Sequence, residues 1–122
     1  MTDIHVRGIV FAGTGTDARH EMTTFVQEVL GLTRTTVPGV EADLFDLQDG
    51  SSFAVAWPDG MGATSRSLGF LVGDIEQAVR ELRAAGVPVD DEISANARER
   101  YAHFRAPDGQ LYELVEKAKP FS

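Results

Sequence analysis

Along this chain of 122 residues the period of the apolar positions changes several times, and each change marks a new element. From Ile4 to Thr14, β-branched and small residues alternate with polar ones, which predicts a strand broken by the glycines and threonines of 13–16. A helical period then takes over. Met22, Phe25, Val26, Val29 and Leu30 fall on one face of a helix starting near Asp17, and Gly31 supplies the left-handed stop. Leu32 to Thr36, Ala42 to Leu47 and Ser52 to Trp57 read as strands, separated by Pro38-Gly39 and by the tight-turn pair Asp49-Gly50.

The same order returns in the second half. Ser67 to Val72 reads as a strand. Asp74 caps a helix with Gln77 as its capping-box partner, Ile75, Ala78, Val79 and Leu82 form the buried face, and Gly86 ends it. Val87 to Val89, Arg100 to Arg105 and Gln110 to Val115 read as extended, the last two joined by Asp108-Gly109. Corresponding landmarks keep nearly constant spacing: 57 residues from Asp17 to Asp74, 55 from Gly31 to Gly86, and 59 from Gly50 to Gly109. Such self-similarity predicts an internal duplication. The expected architecture is α+β: two βαβββ modules, about 4–57 and 67–116, with a glycine-rich linker over 58–66, in one domain covering 1–122.

Composition removes several function classes. With no cysteine, there is neither a disulfide framework nor a thiolate metal site. No apolar run approaches the ~20 residues that span a bilayer, and the first residues lack a secretory pattern, so the expected setting is cytoplasmic and not a membrane. The formal charge of −8 argues against nucleic acid, because the densest basic stretch, Arg98, Arg100 and Arg105, is short and interrupted by Glu99. An acidic balance favours solubility and cationic ligands. There is no Gly-x-Ser-x-Gly elbow, and Gly13-Thr14-Gly15-Thr16 matches no phosphate-binding fingerprint.

Three segments carry a family resemblance. Residues 25–32 (FVQEVLGL), 69–75 (GFLVGDI) with 82–87 (LRAAGV), and 104–114 (FRAPDGQLYEL) resemble the glyoxalase, bleomycin-resistance and extradiol-dioxygenase superfamily, also called vicinal oxygen chelate proteins. The resemblance implies paired βαβββ modules with curled mixed sheets around a cavity, completed in chains of this length by a homodimer. It also implies four positions that hold a divalent metal in the catalytic members. Mapped here they fall on Val10 or Phe11, on Ala54 or Ala56, on Ser67, and on Glu113. Only Glu113 is a good ligand for such an ion, so no metal and no other cofactor is expected. His5 precedes the first position and His20 lies in the first turn of a helix, so neither supplies the missing donors.

The candidate ligand-binding residues are therefore Val10, Trp57, Ser67, His103 and Glu113. His103 should face the cavity if Phe104 faces the helices, and with Glu113 it is the candidate catalytic pair for proton transfer. Glu113 is expected to bond Ser67, a neighbour or a ligand, since an unpaired buried carboxylate is costly. Trp57 before Pro58 suits stacking at a rim, and Met61 a lid over it. The leading expectation is a metal-free protein that binds a cationic or aromatic small molecule, most like the bleomycin-resistance branch, in which a drug is sequestered unchanged. The alternative is a lyase, isomerase or dioxygenase-like enzyme using either a divalent metal or His103 with Glu113.

Overall fold

A computed structural model describes residues 3–61 and 65–118, with the side chain of Met61 left out; the lid expected of Met61 lies outside the described atoms. The elements are β1 (Gly8–Gly15), α1 (Arg19–Glu28), β2 (Thr33–Thr35), β3 (Asp43–Asp46), β4 (Ser52–Ala56), β5 (Arg66–Leu71), α2 (Ile75–Ala84), β6 (Ser94–Ala95), β7 (Glu99–Arg105) and β8 (Leu111–Lys117). A short 3-10 helix over Pro58–Met61 begins the connection between the halves. No helix of the described residues is long and apolar enough to cross a membrane.

The strands form one curled mixed sheet in the order β2-β3-β4-β1-β5-β8-β7-β6. Each half repeats one rule: its first strand pairs parallel with its fourth, and the fourth and third, then the third and second, pair antiparallel. The halves meet where β1 and β5 run antiparallel, with Gly13 opposite Ser67 and Phe11 opposite Gly69. Curling brings the two ends of the sheet together, and Arg98, just before β7, donates to Asp46 of β3 at 2.9 Å.

Each helix covers its own half. The α2 side buries Val72, Ile75, Ala78, Val79, Ala102 and Leu114, joined by Phe70, Leu82 and Phe104; the α1 side buries Val26, Phe45 and Val55 with Met22, Leu32 and Phe53. A third cluster, Val37, Leu44 and Ala54 with Phe11, Val40 and Ala42, lies under neither helix. It forms a wall of the cavity described below.

Several boundaries differ from the sequence pattern. Residues 4–7 are not in the strand, and Ile4 packs against the α2 cluster of the other half. Gly13 and Gly15 continue β1 instead of breaking it, because the neighbours β4 and β5 satisfy their backbone. The buried face of α1 is narrower than its period suggests: Phe25, Val29 and Leu30 are 44%, 68% and 54% exposed. Residues 87–89 make only one isolated bridge, Val89 to Phe104, while β6 forms later at Ser94–Ala95. Asp74 caps α2 by accepting from the Gln77 N–H at 3.1 Å, but the Gln77 side chain turns to Asp3 and does not close a capping box. Among the described residues five glycines, including the stops Gly31 and Gly86 and the turn residues Gly50 and Gly109, have positive φ, the conformation those turns require.

Candidate functional site

The concave face of the sheet encloses a cavity of about 770 Å³ whose walls come from both halves of one chain. The first half supplies an apolar wall, built from Phe11, Val37, Val40, Leu44 and Ala54, with Trp57 at the rim. The second half supplies polar groups: Ser67 from β5, Tyr101 and His103 from β7, and Glu113 from β8. Strand alternation explains the selection on β7, where Tyr101 and His103 face inward and Phe104 packs with the α2 cluster.

Pairing across β7 and β8 places His103 opposite Glu113, with Nε2 3.3 Å from Glu113 Oε2. The other ring nitrogen, Nδ1, lies 2.9 Å from Asp90 Oδ2, and Asp90 also accepts the His103 backbone N–H at 2.9 Å. The imidazole thus sits between two carboxylates. Hydrogen bonding to Glu113 is the main cause, ahead of the bond to Asp90, that raises its pKa to about 9 against the opposing effect of burial. Near neutral pH the ring is an imidazolium, so the floor holds one cation between two carboxylates.

Ser67 is 5% exposed, and its Oγ is buried with no hydrogen-bond partner among the described residues. Of the partners expected for Glu113, Ser67 or a neighbour, it is the neighbour His103 that meets it, at 3.3 Å. A buried hydroxyl left unpaired costs about 1–3 kcal/mol, which marks a place where a further polar group belongs.

Val10 does not line the cavity. It is the extra residue of a β-bulge between Ile9 and Phe11, and this register shift gives its place to Phe11. Register also resolves the fourth position: Ala54 lies beside Gly13 on β4 as Glu113 lies beside Gly69 on β8. The four positions implied by the resemblance are therefore Phe11, Ala54, Ser67 and Glu113. These residues do not fit a divalent cation. Phe11 and Ala54 offer no donor atom, Ser67 offers a neutral hydroxyl, and Glu113 already meets a cationic ring. No three His, Cys, Asp or Glu side chains among the described residues are grouped to hold an ion.

The rim is built on a buried charge cluster that the sequence pattern did not reveal. Asp43 accepts from Arg19 at 3.1 and 3.2 Å, from Arg34 at 2.6 Å and from Thr23 at 2.6 Å. The Arg19 bonds foremost hold its carboxyl below the usual range, and the same contact raises the guanidinium of Arg19. Arg19 lies 5.7 Å from the Trp57 ring centroid, and the His20 ring meets the indole edge-on at 5.5 Å. Trp57 is 39% exposed, so part of the indole stays available in the mouth. Glu41 and Asp59 add negative charge to the lining, while Arg98 is tied to Asp46. His5 stands apart, exposed and beside Asp3. Asp90, Arg19 and Arg98 thus join the site from outside the candidate set. Asp90 opens the acidic run Asp90-Asp91-Glu92, so nothing in the local sequence sets it apart from its neighbours.

No curated protein matches the chain. Among solved structures, methylmalonyl-CoA epimerase from Mycobacterium tuberculosis is similar at 18% identity and TM-score 0.74, over 98% of this chain and 93% of that one. A superfamily member from Vibrio splendidus 12B01 gives 18% identity and TM-score 0.64, over 93% and 100% of the two chains. BphC, a halotolerant catechol dioxygenase, gives 22% identity and TM-score 0.68, with 96% of this chain matching 42% of that one. At these identities the likeness is one of fold. The sequence match extends over residues 15–114, and with the duplicated βαβββ halves it shows that the chain belongs to the glyoxalase/bleomycin resistance protein/dioxygenase superfamily.

Proposed function

We propose that this protein binds a small, planar, cationic organic molecule in its cavity, without a metal ion and without changing it chemically. The observation that carries this reading is the unpaired buried Ser67 hydroxyl in the polar half of a cavity whose other half is apolar. A ligand with an aromatic body against Phe11 and Trp57 and a charged donor at Ser67 and Glu113 satisfies both halves. The charges support a cation. Asp90, His103 and Glu113 sum to −1, Arg19 and Arg98 are each paired with a carboxylate, and Glu41 and Asp59 make the mouth more negative. A sequestered drug or antibiotic of the bleomycin type, held by a homodimer in the cytoplasm, is the biological form of this proposal.

The test is titration calorimetry with benzamidinium, neutral benzamide and anionic benzoate, followed by mass analysis of the recovered compound. Benzamidinium should bind tightest and return unchanged, with Glu113→Gln abolishing the preference for the cation. Affinities no tighter than about millimolar across the panel, equivalent to only ~4 kcal/mol, would remove the proposal.

A second reading, a metal-free lyase or isomerase, is favoured by the contact between His103 and Glu113. A ring with a pKa of about 9 is an acid near neutral pH and becomes a base only in alkaline solution. Turnover that survives a chelator, vanishes in His103→Ala and follows a titration near that value would favour it over binding alone.

A further inference from the structure

Asp90 lies in the connection between α2 and β6, yet it is tied firmly to β7. Its Oδ2 accepts both the backbone N–H and the Nδ1 position of His103 at 2.9 Å, and its own N–H donates to the His103 carbonyl at 3.0 Å. Arg83 Nη2 holds the Asp90 carbonyl at 2.6 Å. These bonds fix both the carboxylate and the rotation of the ring. On the far edge of the ring, the contact from Nε2 to Glu113 is longer, at 3.3 Å. A carboxylate can only accept, so when His103 carries a single ring proton, the shorter and better-anchored contact keeps it on Nδ1.

We propose that Asp90 is the positioning residue of the cavity floor: it holds a proton on His103 Nδ1, so that the proton on Nε2 and a cationic donor on the bound molecule compete for Glu113. This rests on the binding reading above. When the cation arrives, its N–H takes the place of the Nε2 proton at Glu113. That proton leaves to solvent, and the exposed Nε2 lone pair accepts a second N–H of the ligand. The floor itself passes from −1 to −2 as the proton leaves, and the bound cation restores the total to −1. The other polar groups that line the cavity do not supply a substitute proton. The Tyr101 and His103 rings stand nearly perpendicular with centroids 5.7 Å apart, Ser67 is neutral, Arg19 and Arg98 are bonded to Asp43 and Asp46, and Glu41, Asp59 and Glu99 carry negative charge. The elevated His103 pKa of about 9 keeps the ring doubly protonated in the ligand-free protein near neutral pH.

Two measurements test this, and the first needs no ligand. Nitrogen NMR of the histidine rings of the wild-type protein above about pH 10 should show neutral His103 as the Nδ1–H tautomer, and Asp90→Asn should lower its titration midpoint by about 1 unit or more. The Nε2–H tautomer, or a midpoint unmoved in Asp90→Asn, overturns the role of Asp90. The second is calorimetry of benzamidinium near pH 8 in buffers of different ionisation enthalpy, where a ring of pKa about 9 is still mostly protonated and one lowered by a unit or more is not. The wild type should release close to one proton per cation bound and Asp90→Asn distinctly fewer. Binding with no proton released overturns the competition. If benzamidinium fails to bind at all, the competition falls with the binding reading, while the tautomer still decides what Asp90 does.

Discussion

Replacing Ser67 by alanine should stabilise the empty protein and weaken the occupied one. The Ser67 hydroxyl is buried without a partner among the described residues, opposite Gly13 of β1. Removing a buried unpaired hydroxyl recovers its desolvation cost of about 1–3 kcal/mol, less the dispersion attraction of the single oxygen atom removed. A net gain of about 1 kcal/mol remains, which for a chain of this size raises the thermal midpoint by about 4 °C. Calorimetric or circular-dichroism melting of carefully dialysed protein measures it. The same substitution removes one hydrogen bond to a bound cation, so benzamidinium affinity should fall by about five- to ten-fold. A midpoint that is unchanged or lower in the empty Ser67→Ala protein would refute the reasoning, because the hydroxyl must then have a partner. Ser67→Val provides a check on packing, since it fills the space with a strand-favouring side chain.

Three further outcomes follow from the geometry. The proton on His103 is held in the folded chain and given up by the unfolded one above about pH 6.5, so its stabilisation is complete below that pH and is lost as pH rises through about 9. The shift allows about 3 kcal/mol at most, and with the side chain about one-third exposed we expect about 1–2 kcal/mol; urea unfolding should therefore show the gap between wild type and His103→Gln narrowing from acid to alkaline pH, and a constant gap would contradict this. Asp43→Ala should cost about 3 kcal/mol in chemical denaturation by stranding Arg19, and because the carboxyl of Asp43 is held low, its contribution is present above about pH 4 and lost below it. Asp74→Ala should lose about 1 kcal/mol with the α2 cap, whereas Asp17→Ala should change little, because α1 has no side-chain cap; equal effects on thermal unfolding would count against the assignment.

The parts of the fold legible in the sequence were those controlled locally. Turn and stop glycines with positive φ, the alternation that turns His103 away from Phe104, and the repeated order of elements all act over a few residues. What was not legible depends on partners distant in sequence. The bulge that replaces Val10 by Phe11 is imposed by pairing with β5, and Ile4 leaves its expected strand to join the core of the other half. The α1 period overstates its buried face, since only Met22 and Val26 of that stripe join the core while Phe25 and Val29 stay exposed. At the site, the inward residues His103, Ser67, Glu113 and Trp57 could be selected from strand parity and resemblance, but their partners could not. Asp90 is 13 residues from His103, Asp43 is 24 from Arg19, and Asp46 is 52 from Arg98.

The seam between β1 and β5 relates two halves of the same topology, yet the positions it makes equivalent have become chemically unlike: Phe11 answers Ser67, and Ala54 answers Glu113. A pocket with matching halves would accept an elongated guest in either of two orientations. The guest proposed above fits these unlike halves only one way round, with its oily end towards the first half and its charged end towards the second. The divergence of the two copies therefore gives the cavity a sense of direction that a matched pair of halves would lack.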